Sequence, residues 1–175
     1  MNNLHKVVTN TYTNTKIIIA KPIDEEIMIY DNSILLTETD TLGIITYANR
    51  RFIKLSGYTK EELIGSPQSI NNHPDTPEGL LKARLQIVSE KKIWRGYVKS
   101  LCKDGKFYWS LMYMQAKLDQ QGVLVGYTTT RKKAYPDSIK EVEKKYIELS
   151  GEEHIDHRFF TSAALYHGEG IATRT

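Results

Sequence analysis

A short polar turn in the middle of the chain carries residue types that can hold a charged, ring-bearing ligand. Segment 73–75 reads His-Pro-Asp and places an imidazole and a carboxylate two positions apart. We expect Thr76 to cap the helix that follows, with Pro77 at its first position, so that free backbone N–H groups face the turn and can bind an anion. Trp94 adds a large aromatic surface on which a ring can stack. Together these residues predict a small-molecule binding site.

Each part of this pattern also has a structural interpretation. Asp and Pro stabilise turns by themselves, and an isolated Trp is more often part of a core. His73 could ligate haem, although its place in a loop flanked by proline disfavours this. A metal site formed by segment 154–157, His-Ile-Asp-His, together with His167 lacks cysteine and falls beyond the predicted core, so we favour a solvated tail there.

Composition excludes several classes of protein. The chain has 175 residues, with 40% hydrophobic and 26% charged, which is typical of one soluble globular core. Cys102 is its only cysteine, which favours a reducing compartment. The sequence has no P-loop or Ser-His-Asp arrangement, and residues 134–175 are too few for a kinase or cyclase module, so we expect no enzyme activity.

Charge and hydropathy bear on location and partners. The net charge is +3, and residues 1–22 alone contribute three positive charges, since they contain Lys6, Lys16 and Lys21 and no acid. Three dispersed lysines are not the clustered patch that nucleic-acid binding requires, so we expect no nucleic-acid partner. No run approaches the ~18 apolar residues of a membrane span, and we therefore expect a cytoplasmic protein.

The first half of the chain predicts an extension followed by a hairpin and short helices. Residues 1–29 are expected to be a polar, basic N-terminal extension, loosely ordered at its Asn- and Thr-rich start, with one edge strand at 16–20. Residues 33–37 and 43–47 predict an antiparallel hairpin. Asn49 and the Thr59–Glu62 capping box then predict the starts of two short helices.

The second half predicts a longer helix and three more strands. The helix runs from 76 to about 90, with Arg84 expected to face solvent. The strands are residues 93–102, 106–118 and 123–131, joined by turns that contain Gly. The fold class is therefore α+β, a five-stranded antiparallel sheet with helices on one face and a cavity beneath them.

The C-terminal region predicts one more helix and a tail. Residues 134–150 are expected to form a helix that opens at a capping box beginning at Ser138. Its apolar stripe fits packing on its own domain or binding to a partner, and the sequence leaves both open. Residues 151–175 form a tail that is either disordered or docked through large apolar side chains, namely Phe159, Phe160, Leu165, Tyr166 and Ile171.

These elements carry a resemblance to a known family. Residues 30–133 resemble a PAS sensory domain in a set of short motifs spread over that range. The motifs are Thr39-Asp40, Gly43–Asn49, Phe52, Ser56–Tyr58, Glu62–Gly65, Trp94–Lys99, Lys103–Gly105 and Tyr108-Trp109. The resemblance implies the PAS fold for this range.

Within that family, His73–Pro77 together with Trp94 and Gly96 resembles the aerotaxis-receptor subgroup, which holds FAD without a covalent bond and reports redox state. The resemblance places His73, Asp75 and Trp94 at the flavin site. Two further positions depart from the subgroup pattern: Asn72 stands where Arg is usual, and Ser100 where Asn is frequent. An Arg can clamp a pyrophosphate through two hydrogen bonds and Asn cannot, so this departure lowers the expected affinity for FAD.

The resemblance also implies a role. A complete aerotaxis receptor continues into a membrane anchor and a signalling coiled coil, which this sequence does not contain. We therefore expect a cytoplasmic redox sensor that binds FAD and signals to a separate chemotaxis transducer, either membrane-bound or soluble. The alternatives are a cofactor-free PAS module for homodimerisation or partner binding, and a fragment of a kinase or cyclase.

Overall fold

The computed structural model describes residues 6–30, 32–152 and 154–155. Within these residues the chain forms seven strands, four helices and one 3₁₀ turn. The strands are β1 (Val7–Thr9), β2 (Lys16–Ile18), β3 (Leu35–Thr39), β4 (Ile45–Ala48), β5 (Trp94–Leu101), β6 (Phe107–Leu118) and β7 (Leu124–Lys133). The helices are α1 (Arg50–Ser56), α2 (Lys60–Leu63), α3 (Glu78–Ser89) and α4 (Pro136–Glu148), and the 3₁₀ turn is Gln68–Asn71.

The main sheet has five strands in the order β4-β3-β7-β6-β5, and every neighbouring pair is antiparallel. The register places Trp94 opposite Met114 and Met112 opposite Arg131. Because side chains alternate between the two faces of a sheet, these residues share one face. The predicted α+β fold, with five antiparallel strands and a C-terminal helix, is confirmed.

The two faces of this sheet are covered by different helices. We call inner the face that carries Trp94, Met112 and Arg131, against which α1 and α3 pack. The outer face carries Tyr97 and Trp109 and is covered by α4. The inner face is therefore the one on which a ligand can be enclosed between helices and sheet.

The N-terminal arm is ordered over residues 6–29, so the expectation of a loosely ordered start is wrong for residues 6–15. The strand expected at 16–20 is present as β2. Its strands β1 and β2 form an antiparallel hairpin. Val8, Ile17, Ile19 and Ile29 are buried in the same apolar cluster as the helix residue Phe52. Side chains alternate between exposed and buried along both strands in the structure, but strands of three residues are too short for their sequences to show a decisive pattern.

Asn10 attaches this hairpin to the domain. Its side-chain oxygen accepts hydrogen bonds from the backbone of Tyr12 and Thr13, and its amide donates to the carbonyl of Ile64 at 2.8 Å. A Cβ atom on Gly65, whose φ is +93°, would lie 2.4 Å from Oδ1 of Asn10. The side chain that suggested disorder in the sequence therefore stabilises a tight contact, and glycine is needed beneath it.

Two of the four predicted helix starts are confirmed. The side chain of Asn49 caps α1, and Thr59 and Glu62 form a complete capping box on α2. The other two are wrong. Pro77 is the N-cap of α3, and the hydroxyl of Thr76 donates to the carbonyl of Lys99 instead. Helix α4 begins at Pro136, before Ser138, because Pro is well suited to the first turn of a helix.

Helix α4 packs back on its own domain through the predicted stripe. Val142 and Tyr146 are buried, and Ile139 and Leu149 are partly buried against the same cluster. The hydroxyl of Tyr146 donates to the carbonyl of Tyr97 at 3.1 Å. The predicted tail contact by Phe159, Phe160, Leu165, Tyr166 and Ile171 lies outside the described residues. Among the helices that are described, none is long and apolar enough to cross a membrane.

Candidate functional site

A cleft of about 640 Å³ opens between α3, the 3₁₀ turn and the inner face of the sheet. Leu80, Arg84 and Val88 recur at steps of four on α3 and are all buried, so this stripe sets the side of the helix that faces the sheet. The residues that line the cleft and bear on its chemistry are Thr39, Gln68, Asn72, Arg84, Met114 and Tyr127. The cleft therefore combines apolar surface with several polar groups, a combination suited to a small-molecule ligand.

Gln68 gives this cleft its most specific polar group. It opens the 3₁₀ turn directly after Pro67, and its backbone N–H donates to the carbonyl of Gly43 at 2.8 Å, which fixes its position. Both its Nε2 and its Oε1 are buried and without a hydrogen-bond partner. Leaving a buried amide unpaired costs stability, so this side chain is suited to a ligand that offers one donor and one acceptor.

Two of the predicted site residues, Asn72 and Ser100, lie next to each other. They form an antiparallel bridge that attaches the end of the 3₁₀ turn to the edge strand β5. Asn72 lines the cleft, whereas Ser100 is buried and lies opposite Tyr108 on the inner face. The bridge therefore connects the wall of the cleft to the main sheet.

His73 and Asp75 lie together on the other side of the edge strand. The imidazole ring of His73 contacts Phe107 edge-on, with the centroids 5.9 Å apart, and its Nδ1 accepts a hydrogen bond from the backbone N–H of Asp75. Lys99 donates to Oδ2 of Asp75 at 2.7 Å. Lys99 and Phe107 belong to the outer face, so the structure separates His73 and Asp75 from Trp94.

These contacts set the charges of the His73 cluster. Burial, and then the nearby charge of Lys99, lower the pKa of His73 to about 4. Burial raises the pKa of Asp75, but the hydrogen bond and charge of Lys99 outweigh it and hold that pKa below its usual range. At neutral pH the cluster is therefore a neutral imidazole beside a Lys–Asp ion pair.

Trp94 is fully buried on the inner face, and its indole N–H has no hydrogen-bond partner. The guanidinium of Arg84 lies 6.0 Å from the centre of its ring. Trp94 also borders a second groove, of about 930 Å³, on the opposite side of α3. It therefore borders the second groove and lies next to a charge that was expected to face solvent.

The predicted aromatic cluster divides between the two faces. Tyr108 and Tyr127 lie on the inner face, whereas Tyr97, Trp109 and Tyr113 lie on the outer face. In the part of the chain that the structure describes, no group of three or more His, Cys, Asp or Glu side chains is placed to hold a metal ion.

Sequence reasoning missed Gln68, Arg84 and Arg131. Arg84 could have been found, since it lies four residues from both Leu80 and Val88 on the apolar stripe of α3. Arg131 occupies an inward position of β7 between Thr129 and Lys133, and no periodic signal distinguishes it from an ordinary surface arginine.

Comparison with known proteins agrees with this geometry. The family described as PAS fold matches residues 35–130, more than half of the chain. The chain is 32% identical over 120 residues to the aerotaxis receptor of Escherichia coli (strain K12), which covers 69% of this chain and 24% of the receptor. It is 27% identical over 100 residues to the nitrogen fixation regulatory protein of Klebsiella pneumoniae, covering 57% of this chain and 20% of that protein.

Solved structures give the same result for the fold. The dark structure of the blue-light photoreceptor Aureochrome1 LOV has a TM-score of 0.55 and 22% identity, covering 66% of this chain and 85% of that one. A PAS domain from Colwellia psychrerythraea has a TM-score of 0.53 and 25% identity, covering 57% and 85%. The chain spans about a quarter or less of the length of the two curated relatives described above. The chain belongs to the PAS family of sensor domains, which are signalling modules and not enzymes.

Proposed function

We propose that the chain is a cytoplasmic redox or energy sensor that binds FAD in the inner cleft and signals to a separate chemotaxis transducer. The observation that carries this proposal is the unpaired, buried amide of Gln68 in a cleft of about 640 Å³. The similarity to the E. coli aerotaxis receptor supports taxis as the output.

The residues of the cleft fit the chemistry of a flavin ring. The edge of the isoalloxazine ring presents an N–H group between two carbonyl groups, and an amide can pair with such an edge through one donor and one acceptor. The amide of Gln68 offers both, and Asn72 adds a second amide on the same wall. Met114 and Tyr127 supply apolar surface against which the ring can pack.

Bound flavin would supply reversible electron transfer coupled to proton uptake. Gln68 would orient the ring and respond to its protonation, because an amide can present either its oxygen or its NH₂ group after rotation. The amide atoms of Gln68 are buried, so hydrogen bonds formed there would be shielded from water and strengthened. A change of hydrogen bonding at Gln68 therefore acts on the 3₁₀ turn that contains it.

The proposed route of the signal to a partner runs from the 3₁₀ turn through β5 to α4. The 3₁₀ turn is attached to β5 through the Asn72–Ser100 bridge, and β5 contacts α4 where Tyr146 donates to the carbonyl of Tyr97. If ligand reduction changed the free-energy difference between two arrangements of the turn by about 1.4 kcal/mol, the ratio of their populations would shift tenfold. We propose that α4 and the outer face convey this shift to the transducer.

The test is a titration of the cofactor-free chain with FAD, followed by flavin fluorescence. We expect the wild-type chain to bind one FAD and Gln68→Leu to bind it roughly tenfold more weakly, as expected for the loss of one or two buried hydrogen bonds. Gln121→Leu, in the exposed β6–β7 turn, is the matched control and is expected to bind as the wild type does. A wild-type chain that binds no FAD would refute the proposal.

One observation favours a second candidate, a cofactor-free PAS module for dimerisation or partner binding. Asn72 contributes only a neutral amide to the cleft wall, where an arginine would provide charge-assisted donors for a pyrophosphate. This candidate predicts that the cleft binds neither FAD nor FMN and that self-association does not depend on flavin.

A further inference from the structure

Two arginines are buried on the inner face of the sheet. Arg84 on α3 is 7% exposed and Arg131 on β7 is 1% exposed. Arginine is almost never fully buried unless it is paired with an opposite charge. The contacts of these two side chains therefore need to be accounted for.

Their partners in the structure are weak. Arg84 donates from Nη1 to the sulfur of Met112 at 3.2 Å, and Arg131 donates from Nη1 to the hydroxyl of Thr37 at 3.1 Å. The guanidinium of Arg131 also lies 5.0 Å from the ring centre of Phe52. The Nε–H group of each arginine is buried without any hydrogen-bond partner. Neutral sulfur, hydroxyl and ring partners leave both charges uncompensated.

Among the described residues, no Asp or Glu side chain is buried, so no carboxylate balances these charges. Burial, and then the charge of Arg131, lower the pKa of Arg84 to about 10, and burial lowers that of Arg131. The delocalised guanidinium group of arginine stays protonated in proteins, so both side chains carry a charge at neutral pH. The interior of the domain thus holds two positive charges that repel each other, an arrangement that costs stability until an anion joins them.

Met112 on β6 links the two arginines, and the sheet register shows how close they lie. Met112, which accepts the hydrogen bond from Arg84, is directly opposite Arg131 on the neighbouring strand. Directly opposite side chains on one face have their Cβ atoms about 5 Å apart. Trp94, whose ring lies 6.0 Å from the guanidinium of Arg84, adds a third buried N–H group without a partner. A group of unpaired N–H donors that has no carboxylate beside it is complementary to an anion.

We propose that Arg84 and Arg131 form an interior binding site for a small dianionic oxyanion, either hydrogen phosphate or a short dicarboxylate. Two fixed positive charges require two negative charges for neutrality, and the planar guanidinium group pairs with both kinds of oxyanion through two hydrogen bonds. Arg84 also lines the inner cleft, which gives the anion a route from solvent. The site is formed by the two arginines, and Arg84 also lines the cleft proposed for FAD, so the anion is the proposed ligand of the cofactor-free domain.

The experiment uses the cofactor-free full chain in chloride buffer, with sodium phosphate and sodium malonate as separate probes. Calorimetry is expected to show saturable binding of one anion per chain, and the stronger of the two probes identifies the oxyanion. At about one hundred times its Kd, that probe is expected to raise the melting temperature by roughly 5 °C.

Arg84→Met separates a binding site from a structural arginine. Met places an apolar side chain beside Met112 and Trp94, so without anion the variant is expected to melt at or above the wild-type temperature. Its melting temperature is expected to be the same with and without the probe anion. The control is Arg50→Met on the exposed start of α1, which is expected to keep the wild-type response.

The absence of saturable heat with both probes would overturn the inference, even if Arg84→Met failed to fold. So would a rise in melting temperature of equal size in wild type and Arg84→Met, since that is a general salt effect. Binding of FAD without binding of either anion would overturn this inference and leave the proposed function intact. Binding of an anion without binding of FAD would support this inference and refute the proposed function.

Discussion

At the scale of single residues, the buried imidazole of His73 makes the stability of the domain depend on pH. Its pKa falls from 6.5 to about 4 on folding, so between these values the unfolded chain binds a proton that the folded chain does not. Its contribution to stability is therefore complete above about pH 6.5 and is lost as the pH falls towards 4. The pKa of Asp75 is held below its usual range, so its own titration lies outside this window.

The first prediction compares the wild type with His73→Gln, which keeps a hydrogen-bond acceptor but cannot titrate. Urea unfolding at several pH values is expected to show that the wild type loses up to about 1.4 kcal/mol more stability per pH unit between pH 6.5 and 4. His154→Gln, at an exposed position, is expected to keep the wild-type slope. Parallel curves for the wild type and His73→Gln would contradict the burial of a neutral imidazole.

Sequence reasoning reached some of these residues and not others for identifiable reasons. The His-Pro-Asp segment was recognisable because its residue types and spacing are unusual. The side of the strand on which His73 lies depends on the Asn72–Ser100 bridge, a long-range pairing that no local pattern records. Arg84 was assigned to solvent because of its charge, although its spacing from Leu80 and Val88 placed it on the apolar stripe.

At the scale of elements, α4 is held to the outer face by a small number of specific contacts. The ring of Tyr146 packs against Trp109 with the centroids 5.4 Å apart and the planes tilted by 46°, and its hydroxyl donates to the carbonyl of Tyr97. Val142, one turn earlier, is fully buried. The helix is therefore part of the folded domain, and a partner that binds it contacts its exposed side.

The second prediction is that Tyr146→Phe lowers the free energy of unfolding by about 1 kcal/mol. The variant keeps the aromatic packing and removes the buried hydroxyl that satisfies the carbonyl of Tyr97. Ile147→Ala, whose side chain is 78% exposed on the same helix, is expected to change stability by less than about 0.5 kcal/mol. Equal effects of the two substitutions in chemical denaturation would argue against docking of α4 through Tyr146.

Local signals predicted the elements better than their exact starts. Asn49 and Thr59 were found because a capping side chain acts on the backbone within three residues of itself. Thr76 and Ser138 carry a hydroxyl group, as Thr59 does. However, Thr76 bonds to Lys99 on β5, and Pro136 starts α4 before Ser138 is reached. Tertiary contacts and the fixed φ of proline outweighed the motif in these two places.

At the scale of the whole molecule, the N-terminal hairpin is part of the hydrophobic core. Its buried side chains join the cluster that contains Phe52, Leu63 and Ile70. The main sheet was predictable because its strands are long and are separated by clear turn signals. Of the hairpin, the sequence predicts only the strand at 16–20. Its partner β1 gives almost no periodic signal over three residues, and its stability comes from the domain on which it packs.

The third prediction concerns this hairpin. Ile17→Ala is expected to destabilise the chain by about 2–4 kcal/mol, since the side chain is 8% exposed and its removal leaves a cavity. Ile18→Ala is the matched control on the same strand, where the side chain is 64% exposed, and it is expected to cost less than about 1 kcal/mol. A small effect of Ile17→Ala would mean that the hairpin does not contribute to the cooperative core.

The proposed function is tested most directly by identifying the small molecule that the chain carries after expression. The chain is purified without added cofactor and then denatured, and the released molecule is identified by mass spectrometry and its absorption spectrum. The proposal predicts FAD, close to one per chain in the wild type and clearly reduced in Gln68→Leu. A chain that releases no flavin and binds none when FAD is added would contradict it.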